Sequence, residues 1–92
     1  KDDIMDLETL SSGLLALLWR QYPEAVAGRY KIEAASDAQG YALLEAVGRK
    51  RGFLISGGEV DTERAARMVL EEYRSGKLGR FTLDLPPQEE KV

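Results

Sequence analysis

The sequence of 92 residues contains neither cysteine nor histidine. Without cysteine, the chain forms no disulfide and offers no thiolate nucleophile. Without either residue type, it can build neither a Cys/His zinc site nor a Ser–His or Cys–His catalytic pair. The absence of cysteine is also compatible with the reducing cytoplasm, where we expect the protein to be located.

Long hydrophobic segments are also absent. The longest apolar run covers residues 14–19, which is six residues, whereas a membrane-spanning helix needs about 20. No basic segment precedes an apolar stretch, so the sequence predicts neither a signal peptide nor a membrane partner. The sequence begins with Lys1 rather than Met, and we interpret it as a piece of a larger protein.

Hydrophobic spacing and helix caps predict an all-α fold, a small bundle of four to five helices. The first helix is expected to run from an N-cap at Asp6 to about Arg20, with Trp19 in the core. Pro23 then opens one brief turn over residues 23–27, which Gly28 ends. The stripe of the first helix repeats at helical spacing and consists of Leu7, Leu10, Leu14, Leu17 and Leu18.

Two further helices are expected in the second half of the chain. Ser36 and Asp37 are good caps for a helix over residues 38–49, whose inner face is Leu43, Leu44 and Val47. The last helix is expected over residues 62–75, with Asp61 as its N-cap and Gly76 as its C-terminal stop.

The segment between these helices, residues 53–60, is predicted to be a buried loop, because a lone strand would have no partner. Its Ser56-Gly57-Gly58 sequence could hold an anion, but a tight turn with positive φ at a glycine is the favoured interpretation. After Gly76, residues 77–86 are expected to be extended, with Leu78 and Leu83 offering apolar contacts, and residues 87–92 to form a flexible tail.

The candidate enzymatic motifs in the sequence lack residues or geometry that their chemistry requires. A phosphate loop would need a glycine where Glu71 stands and a hydroxyl where Leu78 follows Lys77. Neighbouring carboxylates such as Glu71 and Glu72 do not face each other on a helix and are interpreted as solvated charges. We therefore expect no catalytic residue, metal site or cofactor within these 92 residues.

The basic residues are distributed unevenly, and this distribution is the most informative feature. The net charge is −3 for the whole chain, yet residues 49–80 contain eight cations against five carboxylates. Two interpretations stay open: a surface that contacts RNA phosphates, or a solvated face with Glu63–Arg67 and Glu71–Arg74 pairs. Phe53 is the aromatic residue proposed to stack on bases. The candidate RNA-binding residues are Arg49, Lys50, Arg51, Arg64, Arg67, Arg74, Lys77 and Arg80.

An ordered set of short motifs covers essentially the whole chain and resembles the C-terminal domain of the ribosome biogenesis GTPase A family. In chain order the motifs are Tyr22-Pro23-Glu24, Arg29-Tyr30, Arg49-Lys50-Arg51-Gly52, Ser56-Gly57-Gly58-Glu59-Val60-Asp61, Glu63-Arg64-Ala65, Tyr73-Arg74-Ser75-Gly76-Lys77-Leu78-Gly79-Arg80, and Leu83 with Pro86.

This resemblance implies an ANTAR-like helical domain over residues 6–86 that binds ribosomal RNA, preceded by a junction over residues 1–5. The parent protein would be a GTPase acting in late assembly of the large (50S) ribosomal subunit, with its GTP and Mg²⁺ site upstream of this chain. The implied partners are large-subunit ribosomal RNA, the precursor particle and the protein's own GTPase domain.

The sequence also allows two alternatives to RNA binding. A protein-interaction or regulatory module would dock on the GTPase domain or on a ribosomal protein through exposed Leu78, Phe81 and Leu83. A DNA-binding helix-turn-helix is disfavoured because residues 53–60 make a much longer turn than the usual three to four residues.

Overall fold

The computed structural model describes residues 6–80, and this part of the chain is an all-α bundle, as predicted. Within residues 6–80 there are four helices: α1 (Leu7–Gln21), α2 (Pro23–Tyr30), α3 (Gly40–Lys50) and α4 (Thr62–Ser75). None of the described helices is long and apolar enough to cross a membrane. The expected junction at residues 1–5, the later part of the extended segment and the tail at 87–92 lie outside the described residues.

Helix α1 is the central element, since it packs against α2, α3 and α4. It begins where predicted, because the Asp6 carboxylate accepts a hydrogen bond from the backbone N–H of Glu8. Leu15, Leu18 and Trp19 are buried, and the Trp19 indole N–H donates to the Ala35 carbonyl oxygen at 2.8 Å. Trp19 therefore belongs to the core, as expected, and it also fixes the connector after α2.

Helix α2 is longer than the sequence indicates. The predicted stop at Gly28 is wrong, because the helix continues through this glycine to Tyr30 and ends at Lys31, whose φ is 58°. Val26 and Tyr30 are buried on the bundle side. This burial stabilises the additional turn more than a solvent-exposed glycine weakens it.

Helix α3 begins later than predicted. Ser36 and Asp37 are not its caps; the N-cap is Gln39, which makes no side-chain capping bond. The first helical residue, Gly40, lies so close to α1 that a Cβ there would overlap the backbone oxygen of Ser12. Contact with α1, rather than a local cap, thus determines where α3 begins.

The segment at residues 53–60 differs from its prediction as a buried loop. Leu54 and Ile55 are 50% and 48% exposed, and an isolated antiparallel bridge pairs Leu54 with Val60. Gly57 and Gly58 both have positive φ, at 93° and 85°. The segment is therefore a hairpin-like turn at the surface, and the positive φ expected for its glycines is confirmed.

Helix α4 has the predicted bounds. The Asp61 carboxylate accepts a hydrogen bond from the Arg64 backbone N–H at 3.2 Å, and Gly76 ends the helix with a φ of 84°. Leu78 then folds back into the core, where it is only 5% exposed, so the expectation that it forms an exposed docking residue is wrong. The buried core comprises Leu15, Leu18, Trp19, Val26, Tyr30, Ile32, Leu43, Leu44, Val47, Ala65, Ala66, Val69 and Leu78.

Candidate RNA-binding surface

The last turn of α3 presents two unpaired cations. Arg49 and Lys50 are exposed and line a shallow groove together with Lys31 from the end of α2. Neither Arg49 nor Lys50 forms an ion pair with any other residue between 6 and 80. Glu33 and Glu45 also line the groove, but these carboxylates leave both cationic heads available to an anion from solution.

Arg51, the next residue, has a different environment. Its Nη1 lies 3.1 Å from the Met68 sulfur, and its guanidinium lies over the Tyr30 ring at 5.3 Å. The same Nη1 is 3.9 Å from a carboxylate oxygen of Glu72. Arg51 therefore joins the C-terminal end of α3 to α2 and α4, and only part of its guanidinium faces solvent.

Glu72 is the buried charge that organises this region, with a side chain only 9% exposed. The Arg29 guanidinium donates to its two oxygens at 3.1 and 2.9 Å, and the Tyr30 hydroxyl donates at 2.9 Å. These contacts hold the pKa of Glu72 below its ordinary value, mainly through the Arg29 hydrogen bonds, which outweigh desolvation. Burial, and then the bond to Glu72, raise the pKa of Tyr30, so this hydroxyl stays protonated.

Two of the three candidate arginines on α4 are paired with carboxylates. Arg67 contacts Glu63 at 3.2 Å and Arg74 contacts Glu71 at 3.0 Å, so the pairs predicted from helical spacing are confirmed. All four side chains are more than half exposed. Ion pairs of this kind contribute about 0–1 kcal/mol, so a polyanion can compete for these guanidiniums.

Arg64, the third of these arginines, is held differently. Its guanidinium carbon lies 4.2 Å from the centroid of the Phe53 ring, over the ring face. It forms no ion pair within residues 6–80. Arg64 and Phe53 thus form a cation–π pair at the surface, and one face of the aromatic ring predicted to stack on bases is covered by an arginine.

The two remaining candidates follow α4. Lys77 and Arg80 are exposed, and neither forms an ion pair in the described part of the chain. Arg80 and Arg74 line one hollow at the C-terminal end of α4, so these two cations lie close together.

Five of the eight predicted residues lie at three places on the domain. Arg49 and Lys50 line the Lys31 groove; Arg51 contacts α4; Arg74 and Arg80 share the hollow. Sequence reasoning missed Lys31 as a member of the basic surface. It also missed Arg29 as the partner of Glu72, although Arg29-Tyr30 stood among the motifs. We use the name basic surface for the following set of cations: Lys31, Arg49, Lys50, Arg51, Arg64, Arg67, Arg74, Lys77 and Arg80.

Among the residues that the structure describes, no group of three acidic side chains is arranged to hold a metal ion. The anion site considered at Ser56-Gly57-Gly58 is also disfavoured, because the Asp61 carboxylate already occupies the N-terminus of α4. The fold and the surface together define a small helical domain that carries exposed cations.

Comparison with known proteins identifies its relatives. No protein-family model matches the chain. Over 99% of its length it is 37% identical to the ribosome biogenesis GTPase A of Priestia megaterium, and over 96% it is 35% identical to that of Bacillus cereus. It is also 36% identical, over 85% of its length, to nucleolar GTP-binding protein 2 of Cryptococcus gattii. The predicted resemblance is confirmed: the chain is homologous to one region of the ribosome biogenesis GTPase A family and spans 29–31% of the length of these bacterial relatives.

Proposed function

We propose that this chain is the ribosomal-RNA-binding domain of a GTPase that acts in late assembly of the large ribosomal subunit. The names of the relatives, ribosome biogenesis GTPase A and nucleolar GTP-binding protein, support the assembly context. The basic surface supplies the RNA contacts, and the partners are large-subunit ribosomal RNA and its precursor particle.

The observation that carries this proposal is that two cations at the end of α3 lack an ion-pair partner. Arg49 and Lys50 are exposed beside Lys31 and have no carboxylate partner within residues 6–80. Since the chain as a whole is acidic, cations left unpaired beside one another favour a polyanionic ligand. Their rigid support is the buried Glu72 network, which holds Arg51 beside them.

The other cations have graded roles in the proposal. Lys77, Arg80 and Arg64 are available for RNA without breaking an ion pair. Arg67 and Arg74 must exchange a glutamate for a phosphate, so their net contribution is smaller.

The parent protein completes the proposed activity. GTP and Mg²⁺ are bound by a GTPase domain upstream of Lys1, so GTP hydrolysis is not a property of these 92 residues. The helical domain described here anchors the GTPase on the precursor particle in the cytoplasm.

Binding of the chain to a large-subunit ribosomal RNA transcript, measured with Arg49→Gln/Lys50→Gln, tests the proposal. At 0.1 M monovalent salt, the loss of two phosphate contacts should weaken binding roughly 25- to 60-fold. Lys50→Gln and Arg20→Gln form a matched pair, because both remove one exposed positive charge, but Arg20 lies on α1 and does not belong to the basic surface. Equal losses for these two single variants would contradict the proposed site.

Arg51 is best left unchanged in this test. A charge reversal there would place a carboxylate next to buried Glu72 and destabilise the fold, so weaker binding would not report on RNA contacts. Absence of salt-sensitive binding to the RNA transcript would contradict the phosphate contacts. It would favour the alternative, in which the domain docks on the GTPase domain or on a ribosomal protein.

A further inference from the structure

The pairing of Arg64 with Phe53 sets this arginine apart from its neighbours on α4. Arg67 and Arg74 are each directed to a carboxylate, whereas the Arg64 guanidinium lies over an aromatic ring at 4.2 Å. One face of the guanidinium plane is thus covered by Phe53. Arg64 is exposed, so a ligand in solution can reach its side chain.

The backbone holds both members of this pair in place. The Phe53 N–H donates to the Gly48 carbonyl at 2.8 Å, and its carbonyl accepts from the Asp61 N–H at 2.7 Å. The Asp61 carboxylate in turn accepts from the Arg64 N–H at 3.2 Å. Asp61 therefore joins the two residues, and backbone hydrogen bonds fix the positions from which the two stacked side chains extend.

The surroundings of the pair are apolar on one side and cationic on the other. Leu54 and Ile55 directly follow Phe53 and are about half exposed. Arg51, two residues before Phe53, contacts α4 at Met68, one helical turn from Arg64. An apolar strip beside cations suits a nucleobase attached to its phosphate, since a base offers a flat apolar face.

We propose that the Arg64–Phe53 pair is a stacking platform for an unpaired nucleobase, so that the RNA recognised by this domain carries a looped-out or single-stranded nucleotide beside its phosphate contacts. The inference rests on the proposed RNA-binding function and specifies which kind of RNA the domain binds. Arginine planes and aromatic rings stack on bases that are splayed out of a helix. In a continuous duplex, the bases are stacked on each other and out of reach of this platform.

The test uses two RNA probes of equal length and charge: a hairpin with 2-aminopurine in its loop, and a blunt duplex. The 92-residue chain should bind the hairpin more tightly and change the 2-aminopurine fluorescence. Arg64→Lys keeps the charge but removes the planar face, so hairpin binding should weaken at least about fivefold, with an unchanged salt dependence. Duplex binding should not change.

Arg20→Lys is the matched control, because Arg20 is an exposed arginine in the last turn of α1 and does not belong to the basic surface; it should alter binding of either RNA by less than about twofold. Phe53→Leu, checked for an unchanged thermal midpoint, should reproduce the loss seen with Arg64→Lys. Equal, salt-dependent binding of both probes by the unmodified chain would overturn the platform and leave the proposed function standing. Failure to bind either RNA would overturn both.

Discussion

Glu72 makes a sharp test of what stabilises the bundle, because Glu71 beside it offers a control with the same chemistry. Glu72→Gln removes the charge from a buried side chain that accepts two hydrogen bonds from Arg29 and one from Tyr30. Glu71→Gln changes an exposed side chain whose single partner among residues 6–80 is Arg74.

The expected magnitude follows from these contacts. Breaking a fully buried ion pair costs about 3–5 kcal/mol, and a hydrogen bond to a charged group contributes about 1.5–3 kcal/mol. The Arg29 side chain is 36% exposed, so water replaces part of what it loses. We therefore expect Glu72→Gln to lower the free energy of unfolding by about 2–3 kcal/mol and the thermal midpoint by about 10–20 °C. Glu71→Gln should change the free energy by less than about 0.5 kcal/mol.

Urea and thermal unfolding followed by circular dichroism measure both variants. Tyr30→Phe extends the assay, because a double-mutant cycle with Glu72→Gln isolates the hydroxyl–carboxylate bond, with an expected coupling of about 1 kcal/mol. Equal stabilities for Glu72→Gln and Glu71→Gln would refute the reasoning that the buried carboxylate holds α2 against α4.

The remaining predictions concern the stability of the chain at acidic pH and the substitution of two glycines. Because the pKa of Glu72 lies below its ordinary value of 4.5 in the folded state, its contribution is present above pH 4.5 and is lost as the pH falls through the folded pKa; the acid limb of a stability–pH profile should be flatter for Glu72→Gln. Gly40→Ala should destabilise the chain by about 1–3 kcal/mol, since its Cβ would overlap the Ser12 backbone. Gly13→Ala, with no atom within 4 Å of the new Cβ, should stabilise it by about 0.5–1 kcal/mol; equal effects in urea unfolding would contradict the proposed close approach.

Elements fixed by local chemistry could be predicted from the sequence. Asp6, Asp61 and Gly76 cap or end helices through bonds to residues at most three positions away, and α1 and α4 therefore have their expected bounds. The start of α3 was missed because it depends on Gly40 meeting α1, a contact 28 positions away in sequence from Ser12. No local pattern reports such an approach.

The same distinction applies to the candidate site. The i,i+4 and i,i+3 pairs of Arg67 and Arg74 follow from helical geometry alone. Glu72, in contrast, was interpreted as a solvated charge, although it binds Arg29 at a separation of 43 residues. Charge counting selected these cations as candidates, but it did not indicate which of them are paired with carboxylates.

Salt-titrated RNA binding tests the central claim most directly. We predict a linear fall of log K with log salt concentration, and a slope for Arg49→Gln/Lys50→Gln that is shallower by roughly 1.4–1.8 than for the unmodified chain. Identical slopes for the two proteins on a large-subunit ribosomal RNA transcript would contradict the assignment of Arg49 and Lys50 as phosphate contacts.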